Sequence, residues 1–548
     1  MIRLTAATKS RIRQALLVLL ALAVLACPSQ TPHPEPEPGP EPEPQPTNTW
    51  RSALYPEDWT PAFGDAQGRF LHDFSYAGYH YGEDPLPETK GMPVFNAARD
   101  FGADKTGAVD STAAIQAAID AAEVDGGAVF LPTGLYRCDG VLTVNASNVV
   151  IRGNGPANTR LYFTKSEGMG YANHITFKGA IYQRTDIPLA QDADARSFEV
   201  FVSDASDLNP GDEISVGWVI TDAFVDEHGM TGLWQAFNGA WRPFFRRTIV
   251  DIDRGTNPAR LILDVPLRYP ALVRDGASVR RETGYITESG IQDLAISNAV
   301  DWDGAWAIYQ VHAILISNAA DCWVRNVESF ASPYEPAGGY HLQSGGIAVV
   351  DSKRITVAEC VLQLAQNRGT GGSGYLFEIS RGNEVLIRDC TGLEGRHNFI
   401  QNWDFGTTGC VFLRCYSSGS TNVLARDLPI GVPAYCEYHH SLATACLVDQ
   451  CILEDGWYAG NRKDGSSGAG HTSTQCVFWN TGGAGELLSF QYGTGYVIGT
   501  ESIKVKTSLG FTMAEGSAPA DYVEGQGKGS KLAPQSLYED QRSRRLAP

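Results

Sequence analysis

Short alternations of apolar and polar residues recur along the second half of the chain, and each closes on a cysteine. Ile355 to Cys360, Val385 to Cys390, Cys410 to Cys415, Cys446 to Cys451 and Ser473 to Cys476 share this pattern. The closing cysteines are spaced by 30, 25, 36 and 25 residues. Side chains alternate with period two along a strand, so each segment predicts one short strand. Repetition at this period predicts a solenoid, one coil per repeat, with loops of unequal length. Ile291 to Ile296 and Trp323 to Val327 extend the pattern upstream. The closing cysteines are expected to form an inward file, with Cys410 and Cys446 in a second file. A buried free thiol behaves as a small apolar side chain. A disulfide between coils about 4.8 Å apart is the sterically allowed alternative.

Upstream, the period changes from two to that of a helix. Ile115, Ala118, Ile119 and Ala122 fall on one helical face, Asp110 or Ser111 supplies the N-cap, and Gly126-Gly127 ends the segment. A strand (128–131), a turn at Pro132 to Gly134 and a second strand from Leu135 follow. One short helix ahead of a long β region can cover the open apolar end of a stack. The stretch from Phe95 to Arg137 combines Phe101-Gly-Ala, Asp110-Ser, Ala114-Ile-Gln-Ala-Ala-Ile119, Gly126-Gly127 and Leu131-Pro-Thr-Gly-Leu-Tyr136. It resembles the opening of the pectate-lyase-like superfamily, including its rhamnogalacturonase and epimerase-like members. That resemblance implies an all-β, right-handed parallel β-helix with an N-terminal capping helix, usually acting on polysaccharides and in some lyases using calcium.

Between about Ser197 and Arg274 the rhythm breaks, and Asp207 to Val216 reads as a turn into a strand. This region is expected to be a small β lobe inserted into the helix (197–274). Trp218, Trp234, Trp241, Trp302 and Trp306 lie in it and in the coil after it; they serve either as packing or as faces for sugar rings. The rest divides into residues 1–27, 28–49, an N-terminal extension (50–94), the β-helix (95–510) and a C-terminal tail (511–548) whose end has helix-forming composition.

Residues 1–27 carry Lys9, Arg11 and Arg13 ahead of an apolar run from Ala15 to Ala26, the pattern of an export signal. Its end, Val24-Leu25-Ala26-Cys27, resembles the lipobox of bacterial lipoproteins, which makes Cys27 the candidate lipidation site; Leu25 stands where a small residue is usual. Ordinary cleavage and secretion is the alternative. The Pro/Glu-rich stretch 28–49 cannot bury a core and reads as an extended spacer. The protein is thus expected to be exported, as a cell-envelope lipoprotein (outer surface or periplasm) or as a secreted protein. Its membrane contact would come only through the N-terminal lipid. A net charge of −19 disfavours nucleic acid as a partner. It also requires any cleft for an anionic polymer to be locally basic.

Polar side chains concentrate between Glu378 and His471. Counting from the cysteines places Glu378, Asp404 and His439 or His440 at similar positions on consecutive coils, close enough to share a site. Two chemistries fit. A β-eliminating lyase needs a group to neutralise a uronate carboxylate and a base for the neighbouring proton: Arg396 and Asn398 for the first, His397, His439 or His440 for the second. A glycoside hydrolase needs two carboxyl groups, for which Glu378 and Asp404 are the pair and Glu437 the reserve. Asn402, Trp403, Arg462 and His471 complete the set as substrate-binding candidates. A non-catalytic carbohydrate-binding protein on the same solenoid is the third reading, favoured if these residues scatter over several faces. No cofactor is expected from the residues, which show no acidic calcium pattern; calcium stays open, and the sequence sets no oligomeric state.

Overall fold

The computed structural model describes residues 49–508 and 519–547. The expected signal with Cys27, the spacer as far as residue 48 and the start of the C-terminal tail lie outside these residues. The chain builds a right-handed parallel β-helix from two long parallel sheets. The sheet that carries the site has ten strands, one per coil: β1 (Leu142–Val144), β2 (Asn173–Lys178), β3 (His312–Ser317), β4 (Gly345–Val350), β5 (Tyr375–Ser380), β6 (His397–Gln401), β7 (Cys436–Tyr438), β8 (Trp457–Ala459), β9 (Glu486–Ser489) and β10 (Lys504–Lys506). Register aligns Ile314, Ile347, Phe377 and Phe399 as one inward row. The Phe377 and Phe399 rings stack at 4.9 Å, so the rise between coils is also the spacing of the core.

Cys360, Cys390, Cys415 and Cys451 do form a continuous buried file, since the strands before them pair in register. They stand at a corner. The residue before each, Glu359, Asp389, Arg414 and Gln450, takes a positive φ of 58°, 55°, 49° and 53°, which turns the chain sharply from one short strand into the next. The thiol then reaches back to the carbonyl two residues earlier, at 3.2 Å for both Cys360 and Cys390. Cys476 departs from the expected arrangement. It belongs with Cys410 and Cys446 at the preceding corner, because Val411, Leu447 and Val477 pair across the coils. All ten cysteines of the described residues are buried and unpaired.

The capping helix, α1 (Thr112–Asp125), buries the four residues of the expected face. Asp110 rather than Ser111 receives the first helical N–H, at 2.9 Å from Thr112. The lobe is wider than the expected 197–274. Its six-stranded antiparallel sheet includes Tyr182–Pro188 and Ser278–Thr283. Val216 pairs with Val279, and Val279 with Ile187, so the outer strands are integral to it. The buried carboxylate of Glu384, on a coil corner, fastens the lobe through Arg247 (3.0 Å) and Arg268 (3.3 Å). The coils likewise run past residue 510, since Tyr522–Glu524 pairs with Tyr496–Ile498.

The N-terminal extension packs Leu54, Tyr55, Trp59 and Phe74 onto Val411, Leu447, Val477 and Trp479 of the long sheet. The C-terminal helix, Leu537–Leu546, adds Leu537 and Tyr538 to the same cluster. Trp50 joins the two ends, its Nε1 donating to the Lys528 carbonyl at 2.9 Å. Among the described residues no helix is long and apolar enough to cross a membrane.

Candidate active site

Outward positions on β2 to β8 line up in rows, and the polar cluster occupies three of them. Register runs Glu378–Ile400–Glu437 along one row. Tyr375 and His397 share the row on one side. On the other side lie Ser380, Asn402 and His439, since Ile379, Gln401 and Tyr438 pair just before them. Neighbouring rows on one face put these side chains along a single groove, composed of two adjoining cavities of about 480 and 460 Å³. Both cavities are lined by Tyr171, Gln310, Asn402 and Trp403. Tyr171 and Trp403 are 72% and 41% exposed, giving the groove aromatic faces at its rim. Trp306 of the helix α2 (Trp302–Ala307) packs beside Gly369, whereas Trp218 and Trp234 are buried in the lobe core and Trp241 lies under Arg280.

The first half of the groove is organised by Glu378. Its Oε1 accepts from Asn402 Nδ2 at 3.0 Å and from Ser380 Oγ at 3.1 Å. His312 Nε2 stands 2.9 Å from Oε2, close but off the line of a hydrogen bond. Burial acts to raise the Glu378 carboxyl, but His312, Asn402 and Ser380 outweigh it and hold it below the ordinary carboxylate range.

The second half is organised by Glu437. His439 Nδ1 lies 2.8 Å from its Oε2, His397 Nδ1 lies 3.1 Å from Oε1, and Arg462 Nη1 also reaches Oε2. Burial again acts to raise this carboxyl, and Arg462 with the two imidazoles holds it well below the usual range. An ionised Glu437 can only accept, so the His439 proton sits on Nδ1 and Nε2 keeps its lone pair. Burial pushes His439 down from the ordinary histidine value, and His397 to about 3, so both imidazoles are neutral. His439 lines the second cavity together with Tyr375 and Arg396. Burial raises the Tyr375 hydroxyl to about 12, which keeps its proton in place. Arg396 donates to the Gly369 carbonyl at 2.9 Å and lies over the Tyr375 ring.

His397, Glu437 and His439 place donor atoms within 4.8 Å of one another and are the one such triad among the described residues. Two imidazoles with one carboxylate suit a transition metal better than calcium, which prefers oxygen ligands. Arg462 already neutralises Glu437, so the cluster is charge-balanced by its own side chains.

Several candidates from the sequence lie outside the groove or are already committed to other partners. Asp404 falls beyond the strand and pairs with Arg242 of the lobe at 2.8 Å; burial raises it, with Arg242 opposing. Asn398 points inward and is spent on Gly395, Ser417, Ser418 and Asp455. His471 packs on Tyr492, and its backbone N–H meets Met230 of the lobe. His440 closes the groove floor, with Nδ1 on Ser441 and Nε2 on the Ser466 carbonyl, so both ring nitrogens are occupied. Tyr375 and His312 were not expected. The signal for Tyr375 was its register with His397; for His312 it was a coil separated from Glu378 by the length of two repeats.

The sequence model of the family described as rhamnogalacturonase A/epimerase, pectate lyase-like, matches residues 94–224, the stretch from the capping helix into the lobe. Over those residues the chain matches the pectate-lyase-like superfamily. Within it, mannuronan C5-epimerase AlgE3 of Azotobacter vinelandii is 54% identical over 69 residues, which is 11% of this chain and 4% of the epimerase. Alginate lyase 7 of the same organism is 49% identical over 69 residues, 11% of this chain and 8% of the lyase. This pectate-lyase-like chain therefore spans a small fraction of the curated relatives it matches. Among solved structures, the Pseudomonas phage phi297 tailspike gp61 is 12% identical, with a TM-score of 0.48 over 79% of this chain and 74% of the tailspike. The exopolygalacturonase of Thermotoga maritima is 10% identical, with a TM-score of 0.33 over 80% of each chain.

Proposed function

We propose that this protein is an exported enzyme that abstracts the C5 proton of a uronate residue in an acidic polysaccharide and cleaves the chain by β-elimination. The observation that carries this reading is His439: a neutral imidazole, oriented by ionised Glu437, lining one cavity with Tyr375 and Arg396. Arg396 would bind the substrate carboxylate and draw charge from the ring as C5 loses its proton. His439 Nε2 takes that proton, the C5–H electrons form the C4–C5 double bond, and the bond from C4 to its glycosidic oxygen breaks. Tyr375, still protonated, gives its proton to the departing oxygen.

A carboxylate-pair hydrolase is less well served. Such an enzyme needs one carboxyl held protonated. Glu378 and Glu437 are both held low, and Asp404 is committed to Arg242. A purely binding role would not require the His439–Glu437 geometry, and Glu378, His397, Glu437 and His439 share one face even though Asp404 and His471 lie off it. The test is incubation with a panel of uronate polymers in heavy water. Ultraviolet absorbance of unsaturated ends with new reducing ends is expected. New reducing ends without that absorbance would mean hydrolysis, deuterium at C5 without cleavage would mean epimerisation, and no change with any polymer would remove the enzymatic reading. Export through a lipidated Cys27 is part of the same proposal; fractionation of Cys27→Ser should move the protein out of the membrane fraction.

A further inference from the structure

The two halves of the groove present different charged groups, Arg396 in one and Glu378 in the other, although one polymer would have to cross both. In the half that holds His439, Arg396 takes part in no ion pair among the described residues. Its hydrogen bond goes to a backbone carbonyl, and its Nε is buried without a partner. A carboxylate is the ligand this half lacks.

In the half built on Glu378 the situation is reversed. The one guanidinium lining it, Arg381, is bound through Nε and Nη2 to Asp351 at 2.8 and 2.7 Å. The neighbouring Arg246 is met by Asp351 and Glu282. Among the described residues no guanidinium or ammonium there is left for a second carboxylate, and the remaining basic group, His312, already faces Glu378 Oε2 at 2.9 Å. The remaining lining offers the Glu378 carboxylate, the carboxamides of Asn173, Gln310 and Asn402, and the Tyr171 and Trp403 faces. Those groups bind hydroxyls and the apolar face of a pyranose, and the buried Glu378 carboxylate would repel an anion placed beside it.

We infer that the Glu378 half is a subsite for an uncharged sugar, so that the substrate alternates a uronate with a neutral or N-acylated residue instead of being a homopolymer of uronates. This rests on the reading that the Arg396 half takes the uronate. Glu378 then sets specificity, and the geometry assigns it no part in proton transfer.

The experiment separates binding from turnover. Native affinity gels are cast with alternating polymers (hyaluronan and unsulfated chondroitin) or with homopolymeric uronates (polygalacturonate and alginate). Retardation is measured for the full chain and for two variants, Glu378→Gln and Asn173→Lys. The unmodified protein should bind an alternating polymer at least about tenfold more tightly than either homopolymer. Glu378→Gln should narrow that gap by improving homopolymer binding, a gain that structural damage does not produce. Asn173→Lys places a cation at the half-buried rim of the same cavity. It should shift preference in the same direction, and it carries the test alone if the buried Glu378 position does not tolerate change. Homopolymers bound as tightly as alternating ones, or a preference unmoved by Asn173→Lys, would overturn the inference. It would leave the lyase reading intact wherever unsaturated ends still appear. Preferred binding of an alternating polymer without any turnover would do the opposite.

Discussion

His439 and Tyr375 face the same cavity with complementary groups: burial favours the neutral imidazole with Nε2 unprotonated and keeps the proton on the phenol. His439→Ala should lower kcat by roughly 10²- to 10⁴-fold, and Tyr375→Phe by a comparable factor, with melting temperature little changed. The base must be unprotonated to act. Because burial lowers its pKa, the acid limb of kcat/KM should lie below the ordinary histidine value of 6.5, and Tyr375 should sustain activity far to the alkaline side. An acid limb at or above 6.5 would sink the assignment of His439. Single residues were only partly legible in the sequence. The density of His, Arg, Asn and Glu between residues 378 and 471 pointed to the right coils. It could not say which way each side chain pointed, because one position along a strand separates groove from core. Asn398 and His397 are neighbours, yet the first secures a turn from inside and the second faces out.

At the scale of elements, a buried acidic side chain helps to fasten the lobe and another the terminal helix. Glu384 receives Arg247 and Arg268, all three almost wholly buried. Glu384→Ala would leave two guanidinium groups without their counter-charge and should cost about 3–5 kcal/mol, read by denaturant unfolding. Asp449 accepts from Ser536 Oγ at 2.7 Å and from the Tyr538 N–H at 2.9 Å, at the start of the C-terminal helix. Burial raises its pKa from 3.8 to about 7. The folded state thus favours the protonated form, and that contribution is complete below about 4 and is lost as pH rises through about 7. The melting temperature should fall over that interval more steeply in the unmodified protein than in Asp449→Asn; equal slopes would rule the group out. Neither carboxylate could be singled out from sequence, since both partners of each contact are far away along the chain. The capping helix could, because its apolar face is a local repeat, and its four buried residues are the expected ones.

For the whole molecule, the coil repeat was the most legible feature because it is written in the spacing of identical residues. The file from Cys360 to Cys451 follows that spacing, while Cys476 shows its limit. A cysteine can end a strand at either of two corners, and only the pairing of Val477 with Leu447 decides which. The lobe boundaries were less legible, since the strands at 182–188 and 278–283 are mostly polar and carry no apolar alternation to mark them. Burial pushes thiols such as Cys322, Cys390 and Cys415 well above their ordinary pKa. The ten buried cysteines should therefore resist alkylation in the native protein and all react after denaturation. Modification of any of them without unfolding would mean that the file is open to solvent.

Trp50 and Lys528, 478 residues apart along the chain, are joined by a hydrogen bond over the last coils. A pull applied between those two points would be borne by a short bridge, and the stacked turns between them would carry almost no load. Joining the chain termini in this way ties the N-terminal extension to the last coils of the solenoid. Traction on a tether preceding residue 49 would have to detach the N-terminal extension before it reached a single coil.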